Sequence, residues 1–187
     1  MIERLLPWLE ADRFRRNRIN REPSPMVATG LPWLSIMLLS MASFSPVIAS
    51  ATVMPPLSFM LLLGWRMMRP GMLPVWAGAP LGAFDDLYSG QPFGSAMTLW
   101  SLAMIAMEAI DGRFRYRGFM QDWAVAALLF TAYILLSALI VTAAGGSTAL
   151  YTVVPQMALT ILLYPAITGL VTLLDRLRLM PLRTVSR

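Results

Sequence analysis

Two adjacent carboxylates, Asp85 and Asp86, end an apolar segment in which glycines recur at short intervals. A charged side chain is costly in apolar surroundings, so the pair predicts either a working site, for proton or cation transfer, or a structural one. In the structural interpretation, the carboxylate of Asp86 caps backbone groups at the Ser89–Gly90 turn that follows. Since neighbouring helical residues point about 100° apart, we expect at most one of the two acids to face squarely into a bundle. We favour the structural interpretation.

A second set of charged residues lies near the end of the next apolar segment. Glu108 and Asp111 are spaced i, i+3 and oppose the helix dipole there, so they need a cation, which Arg113 or Arg115 is expected to supply. Arg113, Arg115 and Arg117 alternate with aromatic residues. This pattern could stack on nucleic acid, but beside a membrane it is typical of an interfacial loop. We predict no nucleic-acid binding and a cytoplasmic interface, open to a protein partner, at these three arginines.

The residues that most often perform catalysis are missing. The chain has no histidine and no cysteine, which excludes disulfides, thiol chemistry, the usual zinc sites and any histidine base. No phosphate-binding loop, GxGxxG fingerprint or metal-spaced cluster occurs. The fifteen methionines indicate a soft, repackable interior. We predict no enzymatic activity, no cofactor and no metal.

Composition indicates the class of protein. Of 187 residues, 57% are hydrophobic and only 13% are charged, whereas a soluble domain carries about 25% charged residues. Several apolar runs approach the roughly 20 residues that a helix needs to span a bilayer. The composition therefore predicts an all-α integral membrane protein with one membrane domain.

Six apolar segments predict six transmembrane helices. Prolines are expected to disturb the third segment and to interrupt the sixth, at Pro155 and Pro165. The end of the first segment resembles a signal-peptidase site, but the long acid-containing region before it favours a retained span. The predicted segments cover approximately residues 30–49, 58–65, 72–88, 93–110, 123–143 and 150–174.

The third segment carries two pairs of small residues at helical spacing. Gly78 with Gly82, and Ala79 with Ala83, are each four residues apart. Such pairs let helix backbones approach closely in membranes. We predict that these four residues form helix-packing faces.

The arginines predict the topology, since all fifteen positive charges are arginine. Six precede the first segment, two follow the second, three follow the fourth and four follow the end of the sixth. With the amino terminus inside, no arginine falls in an outer loop, so both termini are predicted to be cytoplasmic. Arg66 and Arg69 are expected to extend their side chains to the inner interface.

We divide the chain into three regions. Residues 1–28 form an arginine-rich cytoplasmic leader, residues 29–178 the six-helix membrane domain, and residues 179–187 a basic cytoplasmic tail. The leader is either an interfacial helix on anionic lipids of the cytoplasmic face or a partly ordered tail, and we leave the two alternatives open.

One stretch resembles a known family. Residues 86–94 read DLYSGQPFG and match the D-L-x-x-G-x-P-[LF]-G pattern of the MreD family of rod shape-determining membrane proteins. The W-R-x-x-R-P sequence at 65–70 and the Tyr164–Pro165 pair in the sixth segment are also similar. The resemblance covers approximately residues 53–178. Its pattern is carried by Asp86, Gly90, Pro92 and Gly94, whereas Asp85 stands where the family pattern has an apolar residue.

The resemblance implies a fold and a function. MreD proteins resemble the S-components of vitamin transporters, so a six-helix bundle of that kind is expected. It implies a non-enzymatic scaffold of the cell-elongation machinery in a bacterial inner membrane. The implied partners are MreC and, within a larger complex, MreB, RodA and its penicillin-binding transpeptidase.

Two other functions compete with the scaffold. A small-solute transporter, or a substrate binder like an S-component, would place prolines and a polar pocket near the membrane midplane. The prolines are present, but midplane charges are not. An intramembrane enzyme would need a nucleophile paired with a base, and the sequence offers none.

Overall fold

The structure is a computed structural model that describes residues 25–42, 54–114, 118–146 and 150–178. Most of the predicted leader and the whole of the predicted basic tail lie outside the described residues. Arg115 and Arg117, predicted as part of a cytoplasmic interface, also lie outside them.

The described residues form six α-helices and one 3-10 turn, with no strand among them. The all-helical class is therefore confirmed, and the described part of the chain contains six α-helices where six transmembrane helices were predicted. The helices are α1 (Pro25–Ala42), α2 (Leu57–Met68), α3 (Gly78–Asp86), α4 (Ser95–Arg113), α5 (Phe119–Ala143) and α6 (Leu150–Arg178), and the turn Val75–Ala77 precedes α3.

Helix α2 forms the centre of the bundle. Every residue from Ser58 to Arg66 is buried, because α1, α5 and α6 pack directly around it. A helix that is apolar on all sides is stable only inside such a bundle. Its Phe59 stacks on Tyr133 of α5, with ring centroids 4.3 Å apart, and lies 5.9 Å from the ring of Trp100 in α4.

Helices α2, α4 and α6 end on the same side of the bundle. Arg66 near the end of α2 pairs with Glu108 near the end of α4, and Arg69 pairs with Asp175 near the end of α6. Helices α1 and α3 run the opposite way, because their last turns meet the start of α2. Helix α5 is joined to α6 by the short connection 144–149. Successive helices thus alternate in direction.

The third predicted transmembrane helix, over about 72–88 and disturbed by prolines, is shorter than expected. The α-helix in this segment, α3, has nine residues, which is only about 13 Å of helix. Pro74 lies in extended backbone, with φ −65° and ψ 154°, and it disfavours helical backbone at the residue before it. Pro80 lies in the first turn of α3, where proline is tolerated. The segment is therefore a turn followed by a short helix.

The prediction that prolines interrupt the last helix is also wrong, because α6 continues through Pro155 and Pro165. Pro165 has no N–H to donate to the carbonyl of Ile161, four residues earlier. The indole N–H of Trp123 in α5 donates to that carbonyl instead, at 3.1 Å. A helix tolerates proline when a neighbouring helix satisfies the freed backbone group.

Two of the described helices are long and apolar enough to cross a membrane by length and composition, namely α5 and the part of α6 from Tyr151 to Leu177. Helices α1 and α2 are apolar but shorter. The outward faces of α5 and α6 expose many large apolar side chains. Among them are Leu128, Leu135, Leu139, Val154, Leu162 and Leu173.

Candidate functional site

Polar and charged side chains gather at the two ends of α2, and several of them are buried. Ser58 and Arg66 are eight residues apart, which corresponds to about 12 Å of helix. We call the group at the start of α2 the aspartate corner; it consists of Asp85 and Asp86 with Ser40, Ser58 and the first turn of α4. We call the group at its end the arginine end; it consists of Arg66, Arg69, Glu108, Asp111 and Asp175.

Asp86 caps the start of α4 from the end of α3. Its Oδ2 accepts the backbone N–H groups of Gly94 and Met97 at 2.9 and 3.1 Å. Its Oδ1 accepts the N–H of Ala96 at 2.8 Å and the hydroxyl of Ser95 at 3.2 Å. The first N–H groups of a helix have no partner within the helix, and a carboxylate there also stabilises the helix dipole. One side chain thus satisfies most of the open donors of α4.

Helix α4 depends on this external cap because it has none of its own. Its N-cap, Gly94, has a φ of +93°, no side chain and no acidic residue in the turn that follows it. The carboxylate of Asp86 had been expected to bind the backbone of the Ser89–Gly90 turn, but it binds the start of α4. The N–H groups of Tyr88 and Ser89 donate instead to the backbone carbonyl of Asp85. The cap therefore connects two helices, whereas a local turn had been expected.

Asp85 holds three helices together. Its Oδ1 accepts the hydroxyl of Ser40 in α1 and that of Ser58 in α2, each at 2.7 Å. Asp85 and Asp86 are 5% and 6% exposed, so both are buried, although at most one of them had been expected to face squarely into the bundle. Helix α3 is enclosed on two sides, by α1 and by α4, and each acid is covered by a different neighbour.

The remaining motif residues shape the loop between α3 and α4. Gly90 and Gly94 have φ values of +67° and +93°, which side chains other than glycine rarely adopt. The carbonyl of Pro92 accepts the N–H of Ser95 at 3.0 Å. The loop therefore returns the chain so that the start of α4 meets the end of α3.

Two predicted packing residues lie directly against α4. A Cβ atom added to Gly82 would lie 2.6 Å from the carbonyl oxygen of Ala96, and one added to Gly78 would lie 2.8 Å from that of Trp100. These distances are far shorter than van der Waals contact, so both positions require glycine. Ala79 and Ala83 are half-buried.

At the arginine end, Arg66 is 3% exposed and pairs with both Glu108 and Asp111, the latter at 3.2 Å. The predicted partners for these acids were Arg113 or Arg115, whereas the structure pairs both acids with Arg66. The side chain of Arg113 is exposed, and Arg115 lies outside the described residues. The i, i+3 spacing did place both acids on one face of α4, but that face meets α2.

Arg69 donates from Nη2 to the carboxylate of Asp175 in α6 at 2.7 Å, while its own side chain is 46% exposed. The expectation that both arginines of α2 extend to an interface thus fails for Arg66, which is buried. A buried arginine requires carboxylate partners, and Glu108 and Asp111 of α4 supply them for Arg66. The sequence contained a signal for these pairs. The acids at the ends of the apolar helices α4 and α6 need cations, and the end of α2 supplies two arginines.

The two groups hold helices together with hydrogen bonds and ion pairs. No group of three histidine, cysteine, aspartate or glutamate side chains that could hold a metal occurs among the described residues. Every acid of the aspartate corner accepts protein hydrogen bonds. These hydrogen bonds and ion pairs fix the positions of five helices relative to one another, namely α1, α2, α3, α4 and α6.

A central apolar helix, outward apolar faces and polar clusters that join helices are typical of a helical membrane protein. A family model described as rod shape-determining protein MreD matches residues 26–174. The chain belongs to this family, and with it to the membrane proteins that act in cell-shape determination. No curated protein and no solved structure matches the chain.

Proposed function

We propose that the protein is a non-enzymatic scaffold of the cell-elongation machinery in the bacterial inner membrane. In this proposal it binds MreC and helps to couple MreB filaments to peptidoglycan synthesis by RodA and its penicillin-binding transpeptidase. The observation that carries the proposal is the match to the MreD family over residues 26–174. A bundle like that of an S-component remains an expectation of the same proposal.

The polar groups at the two ends of α2 support a structural role. In the aspartate corner, both acids are engaged by hydroxyl or backbone N–H donors. In the arginine end, each acid pairs with an arginine of α2. A scaffold needs rigid helix positions more than an accessible reactive group, and these contacts provide rigidity.

The proposed topology places both termini in the cytoplasm. The described arginines lie at or just after the ends of α2, α4 and α6, on one side of the bundle; they are Arg66, Arg69, Arg113, Arg176 and Arg178. Arginine-rich ends face the cytoplasm in inner-membrane proteins. The leader and the tail add further arginines at the same side in this topology.

Two experiments test the scaffold. Depletion of the protein in its native bacterium is expected to give rounded, swelling cells. Unaltered shape with defective uptake of one nutrient would instead support the small-solute transporter. The full chain, purified at native expression in mild detergent, is expected to bring an MreC-like protein with it; repeated failure to do so would contradict the proposed partnership.

A further inference from the structure

A cleft between α4 and α5 takes no part in either polar cluster. It has a volume of about 150 Å³. Three residues form its floor, namely Phe59, Ala103 and Tyr133, and each of them is at most 7% exposed. Leu102 and Leu136 line its mouth and are 56% and 37% exposed. The cleft therefore opens on the outward surface of the bundle and reaches inward as far as the central helix α2.

Small side chains leave this space between the two helices. The lining includes Ala103 and Ala106 of α4 together with Ala132 of α5. Each alanine contributes only a methyl group, so the large side chains around them do not meet. Protein interiors are packed with few voids larger than a water molecule. A cleft of this size between two helices therefore indicates that another molecule fills it.

The lining selects an apolar occupant. Its nine residues are leucines, alanines, one phenylalanine and one tyrosine, so the hydroxyl of Tyr133 is its only polar side-chain group. An apolar cavity of roughly 150 Å³ stays dry and binds compact hydrocarbons such as benzene. Water is therefore a poor occupant of the cleft, and hydrocarbon is a good one.

The cleft lies at the depth of the lipid acyl chains. Its lining residues occupy positions 99–106 in α4 and 129–136 in α5, and both stretches are close to the middle of their helices. Helix α5 has the length and composition to cross a membrane. The middle of a spanning helix is surrounded by hydrocarbon, because the apolar core of a bilayer is about 30 Å thick. An occupant that enters through the mouth of the cleft therefore comes from this core.

The size of the cleft decides between a lipid and a partner helix as the source of hydrocarbon. A helix with its side chains is about 10–12 Å across, which is too wide for this cleft, whereas an acyl chain is thin and flexible. We propose that the cleft binds the terminal part of a lipid acyl chain. The chain completes the packing between α4 and α5 and rests on the stacked rings of Phe59 and Tyr133.

Photolabelling of the full chain in phospholipid vesicles tests this site. The vesicles contain a phosphatidylglycerol that carries a diazirine at the end of one acyl chain, and mass spectrometry locates the label after irradiation and digestion. Any lipid that surrounds the protein can label the exposed mouth, at Leu102 and Leu136. Only a chain that enters the cleft can label the buried floor, so we expect label on Tyr133 and Phe59 as well. The same lipid with its diazirine next to the glycerol should leave the floor unlabelled.

Filling the cleft provides the matched comparison. Ala132→Leu should lose the label on Tyr133 and Phe59 and keep the label on Leu102. Ala124→Leu adds the same atoms to the same helix at an exposed position outside the lining, and it should keep both labels. Ala106→Leu fills the cleft from α4, so it provides a second test if Ala132→Leu does not fold.

Three results would overturn the proposal. The first is floor labelling that is no stronger with the diazirine at the chain end than with the diazirine next to the glycerol. The second is floor labelling that persists in both cleft-filling variants. The third is floor labelling in vesicles but not in native membranes, which would show that a side chain of a partner fills the cleft in the cell. None of these results measures cell shape, so this proposal and the scaffold can fail separately.

Discussion

At the scale of single residues, Asp85 and Asp86 are neighbours in sequence, but their carboxylates accept hydrogen bonds from different kinds of donor. Asp85 accepts two serine hydroxyls, whereas Asp86 accepts three backbone N–H groups and one hydroxyl. A hydroxyl can rotate and either donate or accept, but a backbone N–H can only donate. The two acids should therefore respond differently to the same substitution.

We expect Asp86→Asn to destabilise the protein and Asp85→Asn to leave it nearly unchanged. The amide nitrogen introduced at position 86 would face backbone N–H groups without an acceptor, at a cost of about 1–3 kcal/mol. At position 85 the amide oxygen still accepts from Ser40 and Ser58, so the change should stay within about 1 kcal/mol. Unfolding in detergent, followed by tryptophan fluorescence, measures both variants.

The two variants serve as controls for each other because they make the same chemical change one residue apart. Equal losses of stability would contradict the distinction between the donors. If Asp85→Asn keeps its stability but cells that carry it become round, then the charge of Asp85 acts in function and the purely structural interpretation of that residue is wrong.

At the scale of helices, the contact between α3 and α4 depends on glycine. We expect Gly82→Ala to cost about 1–3 kcal/mol, because its Cβ would lie 2.6 Å from the carbonyl oxygen of Ala96 and 2.7 Å from Cα of Met97. These are backbone atoms, so the strain is relieved only if the helices separate. Gly112→Ala is the matched control, since nothing lies within 4 Å of its added Cβ. Equal stability of the two variants would contradict close packing at Gly82.

The contact between α5 and α6 depends on a carbonyl that proline leaves free. Trp123→Phe removes the indole N–H that binds the carbonyl of Ile161 and should cost about 1 kcal/mol. In a Pro165→Ala background the residue at 165 supplies its own N–H to that carbonyl, so the cost of Trp123→Phe should largely disappear. A double-mutant cycle of unfolding free energies measures this coupling, and additive effects would contradict it.

Much of the helical architecture could be predicted from the sequence, because long apolar runs between arginines mark helices. The segment around α3 could not, since hydropathy does not distinguish a spanning helix from a turn followed by nine helical residues. The partners of Asp86 lie only eight to eleven residues away, and the missing cap at Gly94 was a usable signal. The partner of Glu108 lies 42 residues away, and only the packing of α2 against α4 reveals it.

At the scale of the whole molecule, the bundle has two chemically different sides. One carries the arginine end together with exposed Arg113 and Arg176. The other carries the aspartate corner and the connection between α5 and α6. Arginine-rich loops stay on the cytoplasmic side of the inner membrane, so the side that carries the arginine end is expected to face the cytoplasm. One labelled residue on each side of the bundle can test this orientation.

Single cysteines can report that orientation, because the native chain has none. Ala144 lies just after α5, on the side of the aspartate corner, and Gly112 lies near the end of α4, on the side of the arginine end; both are exposed. In spheroplasts, a membrane-impermeant maleimide is expected to label Ala144→Cys and to leave Gly112→Cys unlabelled until the membrane is broken. Labelling after lysis is the control for reactivity, because both cysteines should then react. A cysteine that remains unlabelled after lysis is covered by a partner or by lipid and reports no orientation. The reverse pattern in spheroplasts would contradict the proposed topology and place the arginine end on the outer side of the membrane.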